Sequence, residues 1–193
     1  MENLLKEIRQ CTICEPYLPL GPRPVVQAST EARILVVGQA PGSAVHETGI
    51  PFNDPSGDRL RKWMGIEKTA FYDENLIALV PMGFCYPGRG KSGDLPPRKE
   101  CADQWREQLL AKMTNIELTL VIGQYAMAYH LPETKTTLAE TVRSWGIKNN
   151  SSVIPLPHPS PRNNIWLKKN PWFEETVLPR LKKQVHQILD KTN

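Results

Sequence analysis

The sequence contains no apolar run that approaches the roughly 20 residues of a membrane-spanning helix, so we expect no transmembrane segment. Its start, MENLLKEIRQ, mixes leucines with charges and lacks the apolar stretch of a signal peptide, which predicts a cytoplasmic protein. Internal repeats and low-complexity linkers are also absent. A chain of 193 residues then predicts a single domain over 1–193, with the cysteine-bearing residues 1–30 packing on it.

A strong excess of charge is missing as well. Lys and Arg number 24 against 20 Asp and Glu, which gives a net charge of +4. This mildly basic balance permits a nucleic-acid partner without requiring one, because many enzymes with uncharged substrates are equally basic.

Four short apolar runs predict buried β-strands, at residues 32–38, 75–84, 117–123 and 151–157. Helical patterns separate them, so the sequence predicts an α/β fold: a three-layer α/β/α domain around a central, mostly parallel four-stranded sheet. In such a sheet the site should lie beyond the carboxyl ends of the strands.

Two of the predicted helices carry specific expectations. The helix over 56–66 should be capped by Ser56. The helix over 100–113 should turn three apolar side chains inward: Trp105, Leu109 and Leu110. Further helices are expected over residues 4–10, after the third strand and at the C-terminus.

Four cysteines form two pairs in a chain without an export signal. Cys11 and Cys14 make a C-x2-C pair, and Cys85 and Cys101 bracket a loop rich in Gly, Pro and charge. A reducing compartment disfavours structural disulfides, so metal or cluster ligation is the favoured prediction and four separately buried thiols are the alternative. Four thiolates bind zinc as readily as an iron–sulfur centre. The basic side chains of the loop either face a phosphate backbone or are simply solvated: Arg89, Lys91, Arg98 and Lys99.

The loop after the first strand, QAPGSAVHETGIPFNDPSG, is too polar and too rich in Gly and Pro to be scaffold alone. Gly38 and Gly42 allow sharp turns and the close approach of a ligand, and Pro41 stiffens the turn between them. The loop contains neither G-x-G-x-x-G nor G-K-[ST], so it is not a dinucleotide fingerprint or a P-loop, although its backbone amides can bind an anion. Phe52 can stack on a planar ligand or pack in the core.

The sequence HPSPRNN directly follows the last strand and begins with His158. Pro159 and Pro161 fix the backbone, and an imidazole held in this way can donate a hydrogen bond to an oxygen that gains charge during a reaction. The next polar side chains form a compact phosphate-binding set: Ser160, Arg162 and Asn163. The alternative is a helix-entry turn with a surface histidine.

Three segments together resemble the uracil-DNA glycosylase superfamily: GQAPG at 38–42, GIPFNDPSGDRL at 49–60 and HPSPRN at 158–163. The resemblance covers nearly the whole chain. The cysteines and the G-x-P-F stretch are similar to the branch with a 4Fe–4S cluster, which is the implied cofactor, with zinc as the alternative. HPSPRN is closer to the single-strand-selective branch, and DPSGD resembles the D-x-S-G-D of a further branch. The chain therefore combines motifs that are similar to several branches of the superfamily.

The resemblance implies cleavage of the bond between deoxyribose C1′ and a base that has left the helix. Such a reaction needs negative charge near C1′ and hydrogen-bond donors at the oxygens of the departing base. His158 is implied as the donor and Phe52 as the stacking face. Backbone amides near Gln39 and Ala40, next to Gly38, are implied to hold a pyrimidine oxygen.

DNA is the implied partner, single-stranded or with a flipped base, and we expect a monomer to bind it. Ser160 is implied to bind a phosphate that flanks the flipped nucleotide, and Arg162 to help hold the backbone. Asn163 completes this DNA-binding set.

The segment GQAPG at 38–42, which we call motif one, departs from the family pattern. The most active branches carry an acid or amide that positions water at its second or third place. In this chain those places are Gln39 and Ala40, and neither is acidic. Gln39 can orient water but cannot take its proton. Asp54 matches the first Asp of the D-x-S-G-D pattern of a further branch, so the resemblance implies it as the carboxylate, with a role as a turn residue at a helix start as its alternative. His46 and Glu47 are further candidates for the same catalytic role.

Pro81 is a second departure, because the cluster-bearing branch has an Asn there that reads the uracil edge. Proline cannot pair with a pyrimidine edge.

Three functions therefore compete. The first is a DNA glycosylase that excises uracil or another deaminated base in base-excision repair, with His158, Asp54 and Gln39 as catalytic candidates. The second is a protein that binds a nucleobase or DNA on the same scaffold without cutting it. A Rossmann-like nucleotide enzyme is disfavoured by the missing glycine fingerprint.

Overall fold

A four-stranded sheet lies at the centre of the computed structural model, which describes residues 1–91, 93–132, 136–147 and 151–192. Its strands are β1 (Ile34–Val37), β2 (Ile77–Leu79), β3 (Leu118–Ile122) and β4 (Val153–Leu156). They are all parallel and lie in the order β2-β1-β3-β4. Helices flank the sheet, so the predicted three-layer α/β/α fold is confirmed.

The middle of the sheet explains why the strands can be read from the sequence. Every residue of β1 and β2 is buried. In register, Val36 of β1 lies between Leu79 of β2 and Leu120 of β3. Strands buried on both faces require continuous apolar runs, which is the pattern that the sequence shows. Since the strands are parallel, their carboxyl ends meet at one edge of the sheet.

Both outer strands of the sheet are protected against pairing with another chain. Beside β2, Gln27 and Leu79 exchange two backbone hydrogen bonds of 3.1 and 2.8 Å in an antiparallel bridge. On the other side, β4 includes Pro155, which has no N–H and suits an edge strand.

Ten α-helical segments occur among the described residues: α1 (Glu2–Arg9), α2 (Ser43–Thr48), α3 (Pro55–Met64), α4 (Lys68–Phe71), α5 (Lys99–Cys101), α6 (Glu107–Lys112), α7 (Gly123–His130), α8 (Leu138–Ile147), α9 (Asn164–Lys169) and α10 (Leu178–Leu189). Wider π-helical turns, Ala102–Arg106 and Phe173–Val177, lead into α6 and α10. In the part of the chain that is described, no helix has the length and apolar character needed to cross a membrane.

The second strand is shorter than predicted. It ends at Leu79, whereas the apolar run continues to Phe84. Pro81 has no N–H to extend a ladder. The chain nevertheless stays beside the end of β1, where the Met82 amide donates to the Gly38 carbonyl at 2.9 Å.

The start of α3 also differs from the prediction. Asp54, not Ser56, is the cap: its Oδ1 accepts from the Gly57 amide at 2.8 Å. Pro55 then occupies the first helical position, where its fixed φ and missing N–H carry no cost.

Two smaller corrections concern helices. The loop after β1 contains α2, which lies within a stretch rich in Gly and Pro and is too short to show a periodic pattern. In the helix predicted over 100–113, Trp105 and Leu109 are buried as expected, but Leu110 is only partly buried against the core.

Candidate active site and cysteine-lined cavity

The loops after β1 and β4 come together at the carboxyl edge of the sheet. Arg59 of α3 links them, because its guanidinium donates to the Ser160 carbonyl at 3.1 Å and to Asn164 Oδ1 at 2.8 Å. The carboxylates of Asp54 and Asp94 also lie close enough to His158 to act on its charge. The residues singled out at opposite ends of the chain therefore share one site.

The His158 imidazole is held by the turn that follows it. Its Nδ1 accepts from the Ser160 amide at 3.2 Å, and the Asn163 side-chain amide donates to the His158 carbonyl at 2.7 Å. A ring nitrogen that accepts carries no proton, so the neutral ring has its proton on Nε2. The turn thus presents an N–H donor in a fixed orientation.

The charge state of His158 is set by its surroundings. Burial lowers its pKa, and the cation of Arg162 acts in the same direction. The carboxylates of Asp54 and Asp94 oppose this shift. Burial is the largest effect, which favours a neutral imidazole that donates from Nε2.

The position of the Phe52 ring is fixed by its backbone conformation and by contacts with Phe71 and Gly38. Its φ of 54° lies in the left-handed region, which is unusual for a residue with a large side chain. The ring meets Phe71 edge to face, with centroids 6.1 Å apart. A Cβ on Gly38 would lie 3.2 Å from Phe52 Cζ, so the end of β1 and the ring are in close contact. Phe52 is half-buried and packs against the core.

Gly57 leaves room for this arrangement, and a substitution there tests it. A Cβ at Gly57 would lie 1.7 Å from the Phe52 carbonyl oxygen, a backbone atom that cannot turn aside. We expect Gly57→Ala to destabilise the fold by about 3 kcal/mol, measured by urea unfolding. Ser56→Ala, at the neighbouring buried position of α3, is the matched control and should stay near wild type. Equal stability of the two variants would contradict this packing.

Asp54 has the role of a turn residue at a helix start, and its role as the catalytic carboxylate stays a prediction. It caps α3 through Oδ1, as described above, and its charge reaches both His158 and Tyr72. His46 and Glu47, the other two candidates for this role, have different surroundings. The His46 ring packs beside Tyr86 at a centroid distance of 6.2 Å, and Glu47 is exposed.

Gln39 of motif one binds the loop between the last two cysteines, residues 86–100, which we call the intercysteine loop. Its Nε2 donates to the Leu95 carbonyl at 3.0 Å. The loop folds back on itself through two backbone bonds, Gly90 N to Gly93 O at 2.7 Å and Leu95 N to Gly88 O at 2.9 Å. The side-chain nitrogen of Gln39 is therefore engaged with protein.

The buried side chain of Arg106 holds the segment that follows β2 through hydrogen bonds to its backbone. Arg106 Nη1 donates to the Pro81 carbonyl at 3.1 Å and to the Val80 carbonyl at 3.4 Å, and Nη2 meets His130 Nε2 at 2.8 Å. Burial lowers the Arg106 pKa to about 10. Burial, and then the Arg106 cation, lower the His130 pKa to about 4, so His130 is neutral and accepts. Pro81 itself is buried and offers no donor to a ligand.

All four cysteines line one cavity, although they come from distant parts of the chain. Each of the four thiols has an N–H donor beside it, which for Cys85 is the backbone of Arg23. Trp105 Nε1 donates to Cys11 Sγ and the Phe84 amide donates to Cys101 Sγ, both at 3.3 Å, and Arg98 contacts Cys14. The four thiols thus surround one cavity as free cysteines, and ligation of a metal or cluster by them stays a prediction.

The protonation of the thiols reflects this shared burial. The pKa of Cys85 is raised to about 11 and that of Cys101 to about 12, mainly by burial, and the neighbouring cysteines contribute in the same direction. Among the residues described, no group of three or more His, Cys, Asp or Glu side chains could hold a metal ion as the side chains stand.

Arg98 makes contacts within the protein, whereas a contact with a phosphate backbone stays a prediction. It pairs with Glu100, and its guanidinium lies 4.1 Å from the centroid of the Tyr17 ring. Arg89, Lys91 and Lys99 are exposed.

Three residues of the site escaped the sequence analysis: Arg59, Asp94 and Arg106. Arg59 lies inside the quoted segment GIPFNDPSGDRL, so its place at the start of α3 was available as a signal. Asp94 lies in a loop with no periodic pattern. Arg106 reads as a polar position of an amphipathic helix, and only the tertiary packing shows that it is buried.

Comparison with known proteins agrees with this geometry. The family model described as "Uracil DNA glycosylase superfamily" matches residues 25–182. The chain is also 24% identical over 165 residues to a protein from Thermotoga maritima named Type-4 uracil-DNA glycosylase, an alignment that covers 83% of this chain and 81% of the relative. The match runs from the segment beside β2 into α10 and includes both motif loops. The chain belongs to the uracil DNA glycosylase superfamily.

Proposed function

We propose that this protein is a DNA glycosylase that hydrolyses the N-glycosidic bond of uracil or another deaminated base, as a monomer acting in base-excision repair. Family membership supports this proposal, as does the name of the Thermotoga maritima relative. The single observation that carries it is the orientation of His158, whose Nδ1 accepts from the Ser160 amide and whose Nε2–H therefore remains as a donor.

The chemistry assigns distinct tasks to the residues of the site. Bond cleavage places negative charge on the departing base, and His158 donates a hydrogen bond to the base oxygen that gains it. Phe52 stacks on the base, and backbone amides near Gly38 and Ala40 hold its other edge. Asp54 stabilises the positive charge that develops on the sugar.

We propose that DNA binds across the turn after β4 and the start of α3. Arg162 is exposed and can meet a phosphate directly. Ser160 and Asn163 hold the turn in shape through bonds to the Arg162 amide and the His158 carbonyl, while Arg59 anchors it to α3. The substrate is single-stranded DNA or a duplex with a flipped base, because the site must enclose the base.

The cysteine-lined cavity fits an iron–sulfur cluster by its donor set. A 4Fe–4S cluster is held by four Cys thiolates, and hydrogen bonds to its sulfur ligands stabilise their charge. Four cysteines and N–H donors to Cys11, Cys14 and Cys101 are present around the cavity. Each thiolate of such a cluster binds its own iron, so the sulfur atoms need not converge on one point as zinc requires. We propose a structural 4Fe–4S cluster in a reducing compartment, the cytoplasm, with zinc as the alternative.

A second candidate function is binding of a base or of DNA without cleavage. Two observations favour it: the Gln39 amide nitrogen is bound to Leu95, and the buried Pro81 offers no donor to a pyrimidine edge. The two functions differ in whether an abasic site is formed.

A panel of DNA oligomers separates the two. The oligomers carry uracil, hypoxanthine or xanthine in single-stranded and duplex form, and abasic sites are scored by alkaline cleavage. We expect release of at least one base, faster from single strands. Tight binding of the same oligomers without any abasic product would reject the glycosylase and establish the binding protein.

A further inference from the structure

We propose that Asp94, carried over the site by the intercysteine loop, takes the proton of the water that attacks C1′. This inference rests on the proposed glycosylase activity and assigns a residue and a loop that the family motifs do not include.

The intercysteine loop contacts the site at three places. Gln39 Nε2 of motif one donates to the Leu95 carbonyl at 3.0 Å. A Cβ on Gly42 would lie 3.6 Å from Asp94 Oδ2. On the opposite side, a Cβ on Gly93 would lie 3.0 Å from Arg162 Nη1. The loop therefore spans from the motif after β1 to the motif after β4.

Asp94 is the residue of this loop that brings a carboxylate to the site. Its charge acts on His158, together with that of Asp54 from the start of α3, while Arg162 provides the opposing cation. Among the described residues, these three are the charged groups that act on the imidazole. Asp54 is partly committed, because its Oδ1 caps α3. Asp94 is exposed, so its carboxylate is open to water.

Gln39 and Asp94 complement each other chemically. The Gln39 amide nitrogen is bound to the residue next to Asp94, which leaves its side-chain oxygen to accept from a water. An amide cannot take the proton of that water, but a neighbouring carboxylate can. Motif one thus recruits its missing carboxylate from another loop.

The hydrolysis balances with these groups. The water oxygen forms a bond to C1′ and gives one proton to Asp94. The C1′–N bond breaks, and its electron pair leaves with the base, whose oxygen is held by His158 Nε2–H. The base then takes a proton from solvent, and Asp94 returns its own proton to solvent.

The first test measures single-turnover base release by Asp94→Asn on the oligomer that the wild-type protein cleaves best. General-base assistance contributes 10²- to 10⁴-fold in typical enzymes, so we expect a loss of about 100-fold with unchanged affinity for DNA containing an abasic site. Asp94→Glu should recover part of the rate. Asp103→Asn, an exposed aspartate of the Ala102–Arg106 turn, is the matched control and should equal wild type. An Asp94→Asn rate within about threefold of wild type would reject the proposal.

The second test does not need activity, so it separates this inference from the proposed function. NMR titration of the His158 ring, assigned by its loss in His158→Gln, should give a lower pKa in Asp94→Asn than in wild type, because a stabilising carboxylate has been removed. Asp103→Asn should leave the His158 pKa unchanged. An unshifted pKa in Asp94→Asn would show that the carboxylate lies away from the site and would overturn the inference, whatever the oligomer panel shows.

Discussion

His158→Ala should slow base release by about 10²- to 10³-fold in single-turnover assays, the usual cost of losing one donor to a developing anion. The reason is geometric. The Ser160 amide occupies Nδ1, so Nε2 carries the only proton that the neutral ring can offer to the departing base. Affinity for abasic DNA should change little, since the lost bond strengthens only as charge develops.

The control for this variant is His186→Ala. His186 lies on α10, where its Nε2 contacts the Gly65 carbonyl at 2.8 Å, at the end of α3 opposite to Asp54. It should keep the wild-type rate. His158→Gln retains an N–H donor and should fall between wild type and His158→Ala. If His158→Ala and wild type release the base equally fast, the imidazole is a surface residue of the turn and the mechanism is wrong.

Protein purified without oxygen should be brown and contain about four irons per chain, and Cys11→Ser/Cys14→Ser should lose both iron and colour. The pair lies where α1 ends and lines the same cavity as Cys85 and Cys101. Ligation stabilises only the folded state, so the double variant should also melt about 10 °C lower, corresponding to roughly 3 kcal/mol.

Ile13→Ser is the matched control for the cysteine variants. Ile13 lies between Cys11 and Cys14 in the sequence and lines the cavity, yet it is 51% exposed and has no metal-binding atom of its own. It should retain iron and thermal stability. Colourless wild-type protein with stoichiometric zinc would replace the cluster by a zinc site, and wild-type protein free of both metals would reject ligation altogether.

If the cysteines hold a cluster, its loss should also lower the catalytic activity, because the intercysteine loop connects the cysteines to the active site. Cys85 and Cys101 flank this loop, and Leu95 within it holds Gln39. The double variant is therefore expected to lose activity as well as iron, although its substitutions lie outside the site.

The sequence alone determined the layers of the fold. Short continuous apolar runs rich in β-branched residues favour strands buried on both faces, and the helical patterns between them favour a parallel sheet with helices on its faces. β1, β3 and β4 lie inside their predicted ranges. The amino-acid types also predicted the turns, because the Gly and Pro residues of the loops after β1 and β4 are typical of turns and disfavour helices and strands.

Only the tertiary structure decided what those residues do to one another. The tautomer of His158 depends on the Ser160 amide, and the engagement of Gln39 depends on Leu95, 56 positions further along the chain. Burial of Arg106 and the gathering of four thiols around one cavity are likewise invisible in local patterns. Sequence periodicity reports which face of an element is apolar, whereas contacts between loops arise from the packing of elements that are far apart in the chain.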